Sequence, residues 1–135
     1  MHSVVIICCA LLGLLAFGLG FNVSVQRNKT KTGISPGTDP TSPLMKAVRA
    51  HGNSVEYGAI LIGLFVVLSL TYSDRNLGLF ASALVIVITL ARGVHAFGML
   101  TCVSLDKSNP FRFIGALTTY LAGFVLCAVL MGKAF

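Results

Sequence analysis

A chain of 135 residues in which 56% are hydrophobic and only 10% are charged is too apolar for a typical water-soluble domain, where about 25% of residues carry charge. Its length instead accommodates about four membrane-spanning helices of roughly 20 residues each. The net charge of +6 is spread over loops and helix ends without a basic stripe or a recognition motif, which argues against a nucleic-acid partner.

Four apolar runs follow one another along the chain. The first, residues 3–25, is interpreted as a retained span because basic residues follow it rather than precede it. A polar loop then leads to Pro43, a residue suited to the first turn of the second span at 44–72. Short polar turns separate this span from those at 77–103 and 111–132. We therefore predict that the whole chain forms a single all-α domain, an antiparallel four-helix transmembrane bundle.

The distribution of basic residues predicts how this bundle is oriented. Six of them lie in the first and third loops and the adjoining helix ends, against two in the second loop and at the C-terminus. The six are Arg27, Lys29, Lys31, Lys46, Lys107 and Arg112, and the two are Arg75 and Lys133. Because cytoplasmic loops are enriched in Lys and Arg, we expect the first and third loops in the cytoplasm and both termini outside.

Several polar and ionisable side chains lie near the start of the second span. Arg49, Asn53 and Glu56 fall within about 60° of one another on a helix, and Tyr57 flanks them. His51 lies about 200° from Arg49, so it must face a different neighbour. Ionisable groups at membrane depth are costly and indicate a functional site. The alternative is an Arg49–Glu56 ion pair that joins two helices, but such a pair needs two groups and this segment carries more.

A second polar group lies in the third span, where Arg92, His95 and Met99 share one helix face. Counting from the expected helix ends at about 1.5 Å per residue places this group level with the polar start of the second span. Arg112 begins the fourth span and Arg27 ends the first at the same side of the membrane. One polar cavity open to the cytoplasm is therefore expected. The four cysteines, Cys8, Cys9, Cys102 and Cys127, have no metal-ligand spacing, so neither a metal site nor a disulfide framework is expected.

Three segments resemble one family of membrane proteins. The segment RAHGNSVEY at 49–57 resembles the helix-two signature of the MAPEG family, the membrane-associated proteins in eicosanoid and glutathione metabolism. The segment RGVHAFG at 92–98 resembles that family's helix-three motif, and NPFR at 109–112 resembles the opening of its fourth helix. The chain is most similar to the short bacterial members. The resemblance implies a homotrimer that binds glutathione between adjacent subunits near the cytoplasmic side.

The resemblance also implies a role for each polar residue. Glutathione contacts are implied for Arg49, Asn53, Glu56, Tyr57, Arg92 and His95, with Arg27 as a further contact, His51 reaching the neighbouring subunit's site, and Arg112 stabilising the thiolate. These residue types suit the ligand, since arginine binds carboxylates in a bidentate manner and a glutamate pairs with an ammonium. An arginine at a helix N-terminus also favours a thiolate, which is the nucleophilic form of a thiol.

The chain departs from some family members at positions that bear on the second substrate. Met99 and Ala116 stand where some eicosanoid-making members carry polar residues, and Gly58 and Ala59 follow Tyr57 where several have a proline. These departures argue against eicosanoid synthesis. We expect a glutathione transferase of the bacterial inner membrane that uses glutathione as a co-substrate and conjugates hydrophobic electrophiles or reduces lipid hydroperoxides.

Two alternatives remain open. One is a membrane protein that binds glutathione or a lipid without efficient turnover, which could lose Arg112 and keep its affinity. The other is a small transporter or channel. That alternative is disfavoured because the polar groups lie on one side of the membrane and no ionisable residue lines the outer half of any expected helix.

Overall fold

The computed structural model describes residues 2–72 and 77–133 and forms four helices within them. They are α1 (Ser3–Thr30), α2 (Pro43–Thr71), α3 (Leu79–Thr101) and α4 (Pro110–Met131). Each is long and apolar enough to cross a membrane, and no strand occurs in either described range. The predicted all-α four-helix bundle is confirmed. The turn expected at residues 72–76 lies, apart from Tyr72, outside the described residues.

Proline and a polar cap define where α2 and α4 begin. Pro43 occupies the first turn of α2, and the side chain of Ser42 accepts a hydrogen bond from the backbone N–H of Met45 at 3.5 Å. Pro110 begins α4 in the same way, and Asn109 Oδ1 accepts from the backbone N–H of Arg112 at 3.0 Å. Proline suits this position because its missing N–H would have no partner inside the helix.

Two helices differ from the expected spans at their ends. The helix α1 continues past the apolar run, which ends near residue 25, to Thr30, because its last polar turn stays hydrogen-bonded and is closed by Lys31 in the left-handed conformation at φ 52°. The helix α3 begins at Leu79, after Gly78, whose φ of 79° a helix does not allow. The polar end of α1 therefore projects beyond its apolar part.

The apolar core is thickest at the end of the bundle that holds the N-terminus. Val5, Phe65, Val85 and Leu126, one from each helix, are fully buried there and belong to a single cluster. At the opposite end the core consists of two small clusters, around Ala50 and around Leu44, Ala47 and Val23. The polar residues of α2 and α3 lie toward this second end, where less apolar packing surrounds them.

Two glycines let the backbones of α3 and α4 touch. A Cβ atom at Gly115 would lie 2.6 Å from the backbone nitrogen of His95, and a Cβ atom at Gly98 would overlap the backbone nitrogen of Arg112. Real Cβ atoms essentially never approach within 3.0 Å. Glycine at both positions therefore brings His95 directly against the first turn of α4.

Candidate functional site

A polar cavity of about 270 Å³ opens where α2, α3, the α3–α4 loop and the start of α4 meet. Its lining residues are Arg49, Asn53, His95, Met99, Leu105 and Arg112. Five of these residues were singled out in the sequence, and they come from three different helices: Arg49, Asn53, His95, Met99 and Arg112. Arg49 and Arg112 supply two guanidinium groups, and no carboxylate among the described residues lines the cavity. The electrostatic consequence is a preference for an anionic ligand.

His95 joins this cavity to a second one of about 260 Å³ at the start of α4. The second cavity is lined by His95, Ser108, Asn109, Arg112, Phe113 and Ala116. The His95 ring is buried, and its Nδ1 lies 2.8 Å from the backbone oxygen of Arg112. A carbonyl oxygen can only accept a hydrogen bond, so Nδ1 is the donor. This bond holds the imidazole between the two cavities.

Arg112 uses part of its guanidinium to hold the α3–α4 loop. Its Nη1 donates to the backbone oxygen of Leu105 at 2.9 Å, and its Nη2 donates to that of Lys107 at 3.3 Å. A guanidinium has further N–H donors, which remain for a ligand in either cavity. The backbone N–H of Arg112, in contrast, is already bonded to Asn109. Any ligand stabilised here therefore meets the side chain of Arg112 rather than its backbone.

Arg92 lies behind the cavity instead of lining it. It is only 1% exposed, and its Nη2 donates to Asn53 Oδ1 at 2.6 Å and to the backbone oxygen of Asn53 at 3.3 Å. Its guanidinium carbon lies 4.8 Å from the centre of the Tyr57 ring, within range of a cation–π interaction. Because Oδ1 of Asn53 is occupied by Arg92, the amide NH₂ of Asn53 is the group left to donate to a ligand. Arg92 therefore positions Asn53.

Tyr57 makes a contact that sequence analysis missed. Its hydroxyl donates to the hydroxyl of Tyr120 in α4 at 3.3 Å, and the two ring centres are 5.8 Å apart. The two rings lie at one end of an apolar groove of about 530 Å³ between α2 and α4. A lone tyrosine within the apolar run 111–132 was the only signal for Tyr120, and spacing along α4 could not show that it faces α2.

Besides Tyr57 and Arg92, three further expected site residues line neither polar cavity within one chain. Glu56 is exposed, and among the described residues neither it nor Arg49 makes an ion pair, so the helix-joining pair considered above does not form. Arg27 donates from Nη2 to the backbone oxygen of Ile34 at 3.1 Å. His51 places Nδ1 3.1 Å from the backbone oxygen of Ala16 in α1. This contact accounts for its opposite orientation on α2 within a single chain.

The rest of the described chain offers little other site chemistry. No group of three or more His, Cys, Asp or Glu residues within 2–72 and 77–133 could hold a metal ion. Cys8, Cys9, Cys102 and Cys127 are free thiols. The arginine-lined cavity is therefore the main candidate site in the described chain.

The profile of the MAPEG family matches residues 5–132. The chain belongs to the MAPEG family. No curated protein and no solved structure matches the chain significantly. Together with four helices able to cross a membrane, membership makes this an integral, multi-pass membrane protein. It also supports, in general terms, a transferase- or peroxidase-type role with glutathione, the substrate that members of the MAPEG family use.

Proposed function

We propose that this MAPEG protein is a glutathione transferase that conjugates hydrophobic electrophiles, or reduces lipid hydroperoxides, with a glutathione thiolate stabilised by Arg112. The observation that carries the proposal is the convergence of Arg49 and Arg112, from two different helices, on one cavity that no carboxylate of the described chain lines. Glutathione has two carboxylates, an ammonium and a thiol, so it is a net anion that this charge arrangement suits. The second substrate is a hydrophobic molecule that reaches the site from the surrounding lipid.

Each binding residue contacts a different group of glutathione. The guanidinium of Arg49 binds a carboxylate in a bidentate manner, and the amide NH₂ of Asn53, oriented by Arg92, donates to the same end of the ligand. Glu56, exposed beside the cavity-lining face of α2, pairs with the ammonium. Tyr57 supports Arg92 through the cation–π contact with its guanidinium. The thiol then lies toward His95 and Arg112.

A homotrimer would complete the site. Arg27, His51 and Glu56 lie outside the single-chain cavities, and a neighbouring subunit would let them contribute. Gly52 and Gly63 on α2 have no neighbouring atom within 4 Å of an added Cβ, so another helix backbone could approach closely there. The measurement is the protein mass in detergent. A stable monomer with full glutathione affinity would rule the trimer out.

The thiolate step depends on the charge of Arg112. A free thiol has a pKa of about 8.5, so at neutral pH only a few per cent is ionised. A guanidinium at the first turn of α4 adds its charge to the positive end of the helix dipole, and both favour the thiolate. At neutral pH, a decrease of one to two units in the thiol pKa would raise the thiolate fraction about eight- to twenty-five-fold.

A glutathione- or lipid-binding protein without efficient turnover is the second candidate, and one observation favours it. The guanidinium of Arg112 already bonds the carbonyls of Leu105 and Lys107, which is what a purely structural arginine at the membrane surface would do. In that case Arg112 would hold the loop, and the thiol would not be activated.

The experiment that separates the two candidates replaces Arg112 by alanine. Lys107→Ala is the matched control, because it removes an exposed cation from the same loop while leaving the backbone carbonyl that Arg112 bonds. For Arg112→Ala we expect thiolate absorbance to fall and conjugation of chlorodinitrobenzene at neutral pH to slow by about eight- to twenty-five-fold. The affinity for S-methylglutathione, which has no thiol proton, should change much less. Wild-type thiolate absorbance and rate in a folded Arg112→Ala protein would support the binding protein instead.

We propose a bacterial inner-membrane location from the resemblance to the short bacterial members, and the distribution of basic residues supports a site that faces the cytoplasm. Arg27 and Arg112 lie at the same end of the bundle. Both are among the six basic residues of the first and third loops and the adjoining helix ends. This orientation places the arginine-lined cavity on the side where the first and third loops meet.

A further inference from the structure

The two ring nitrogens of His95 have different environments. Nδ1 donates to the backbone oxygen of Arg112 at 2.8 Å, which fixes the neutral ring as the tautomer with its proton on Nδ1. Nε2 then carries a lone pair. It has no hydrogen-bond partner among the described residues. It is also not among their polar side-chain atoms that are both unpaired and completely buried. Since the ring lines both polar cavities, Nε2 is open to them.

This arrangement differs from that of a histidine with a structural role alone. His51 also places Nδ1 near a backbone carbonyl, that of Ala16, but its ring lines neither polar cavity. His95 combines the same kind of anchor with an unpaired nitrogen in a cavity that also holds Arg112. An anchored imidazole with a free lone pair is the arrangement that a general base requires.

The charged groups around His95 come from each helix that packs against it. Arg112 faces it from α4, Arg49 faces it across the cavity from α2, and Arg92 lies one turn earlier on α3. All three are cations, and no carboxylate within residues 2–72 and 77–133 lines either cavity. A thiolate formed here gains Coulomb energy from these cations and from the imidazolium that its own proton creates, so the proton stays on His95 until the acceptor reacts.

We propose that His95 is the general base of this site, and the proposal rests on the glutathione transferase function proposed above. Nε2 of His95 takes the proton of the glutathione thiol, so that the S–H bond breaks and its electron pair remains on sulfur beside Arg112. With an α,β-unsaturated carbonyl compound as acceptor, the thiolate forms an S–C bond and the π electrons move to the carbonyl oxygen. The imidazolium then returns the proton to the resulting enolate, which restores neutral His95.

Two substitutions separate this role from the structural one. In His95→Asn the side-chain NH₂ lies near the position of Nδ1, so it can keep the bond to the Arg112 carbonyl while the base is lost. In His95→Gln the polar group lies nearer the position of Nε2, and the bond to the carbonyl is lost. If His95 acted only by holding α4, the glutamine variant would be the more impaired of the two and asparagine would restore activity.

For His95→Asn we expect an unfolding midpoint in detergent close to that of the wild type, and an affinity for S-methylglutathione that falls much less than the conjugation rate. Conjugation of chlorodinitrobenzene at neutral pH should slow by roughly a hundredfold, the usual scale of general-base catalysis. The rate should recover as the pH rises toward the ordinary thiol pKa of about 8.5, where ionisation needs no base. A rate and pH profile like those of the wild type would overturn the proposal.

A measurement on the wild-type protein provides a test that no folding defect can obscure. Glutathione is mixed with the protein in weak buffer, and thiolate absorbance and proton release to a pH indicator are followed together. If His95 retains the proton, thiolate forms with little release. Release of one proton per thiolate would overturn the role of His95 while leaving the transferase function in place. Absence of any thiolate in the wild type would overturn both.

Discussion

Replacing Gly115 by alanine tests one of the two close backbone contacts between α3 and α4. The added Cβ would lie 2.6 Å from the backbone nitrogen of His95 and 2.8 Å from the backbone oxygen of Ala91. Ordinary contacts begin at 3.4 Å, so α4 must move away from α3 by about 0.8 Å, the difference between 3.4 and 2.6 Å. Neither atom can rotate out of the way because both belong to the backbone.

The expected loss of stability is about 1–3 kcal/mol, the usual cost of inserting one methyl group into a packed interior. Gly123→Ala is the matched control, since it lies on the same helix and an added Cβ there meets no atom within 4 Å. Comparing the two variants removes the gain in helix propensity that alanine brings to both, about 1 kcal/mol in soluble hosts. The difference that remains reports the contact between α3 and α4.

The same displacement predicts a loss of function. It would stretch the 2.8 Å bond from His95 to the Arg112 carbonyl beyond the range of about 3.2 Å that a hydrogen bond tolerates. Thermal unfolding in detergent and the conjugation rate are both measured for Gly115→Ala and Gly123→Ala. We expect Gly115→Ala to be the less stable and the slower of the two. Equal stability of the two variants would refute the packing argument.

Three further predictions concern binding and orientation. Arg92→Lys should weaken S-methylglutathione binding several-fold, as measured by calorimetry. The reason is that an ammonium cannot keep both the bond to Asn53 Oδ1 and the stacking on Tyr57. Wild-type affinity in a folded variant would contradict the positioning role. Glu56→Gln should weaken glutathione binding by removing the partner of the glutathione ammonium. The free energy of unfolding should change by less than about 1 kcal/mol, because Glu56 is exposed and makes no ion pair in the described chain. Unchanged affinity would remove Glu56 from the site. A reporter fused to the C-terminus should lie outside the cytoplasm, and a cytoplasmic signal would reverse the orientation.

The sequence by itself determined the elements and their order. Apolar runs of helix-spanning length separated by polar turns have only one stable solution in lipid, because a bilayer leaves no partner for an unpaired backbone group. Pro43 predicted where α2 begins. The depth of the polar residues along each span was also readable, since the rise per residue of a helix is constant. This is why Arg49, His95 and Arg112 were expected at one level of the membrane.

Which of those residues meet was decided by the tertiary structure. Helix periodicity gives the angle between two side chains on one helix, but the rotation of each helix about its own axis depends on how it packs against the others. That rotation turned Arg92 into the bundle onto Asn53 and Tyr57, although its spacing alone grouped it with His95. It also set Tyr120 of α4 against Tyr57 of α2, a pairing 63 residues apart that no local pattern records.

The distance between helices is the second quantity that the sequence left open. Gly98 and Gly115 were two of 14 glycines, and nothing in their spacing distinguished them from Gly93 or Gly123, which have open space around them. Only the assembled pair of α3 and α4 shows that backbone atoms occupy the place of a side chain at these two positions. That close approach puts the His95 ring on the Arg112 carbonyl, and the free nitrogen in the cavity follows from it. Helix length and depth come from local chemistry, whereas side-chain partners and tautomer depend on contacts between distant parts of the chain.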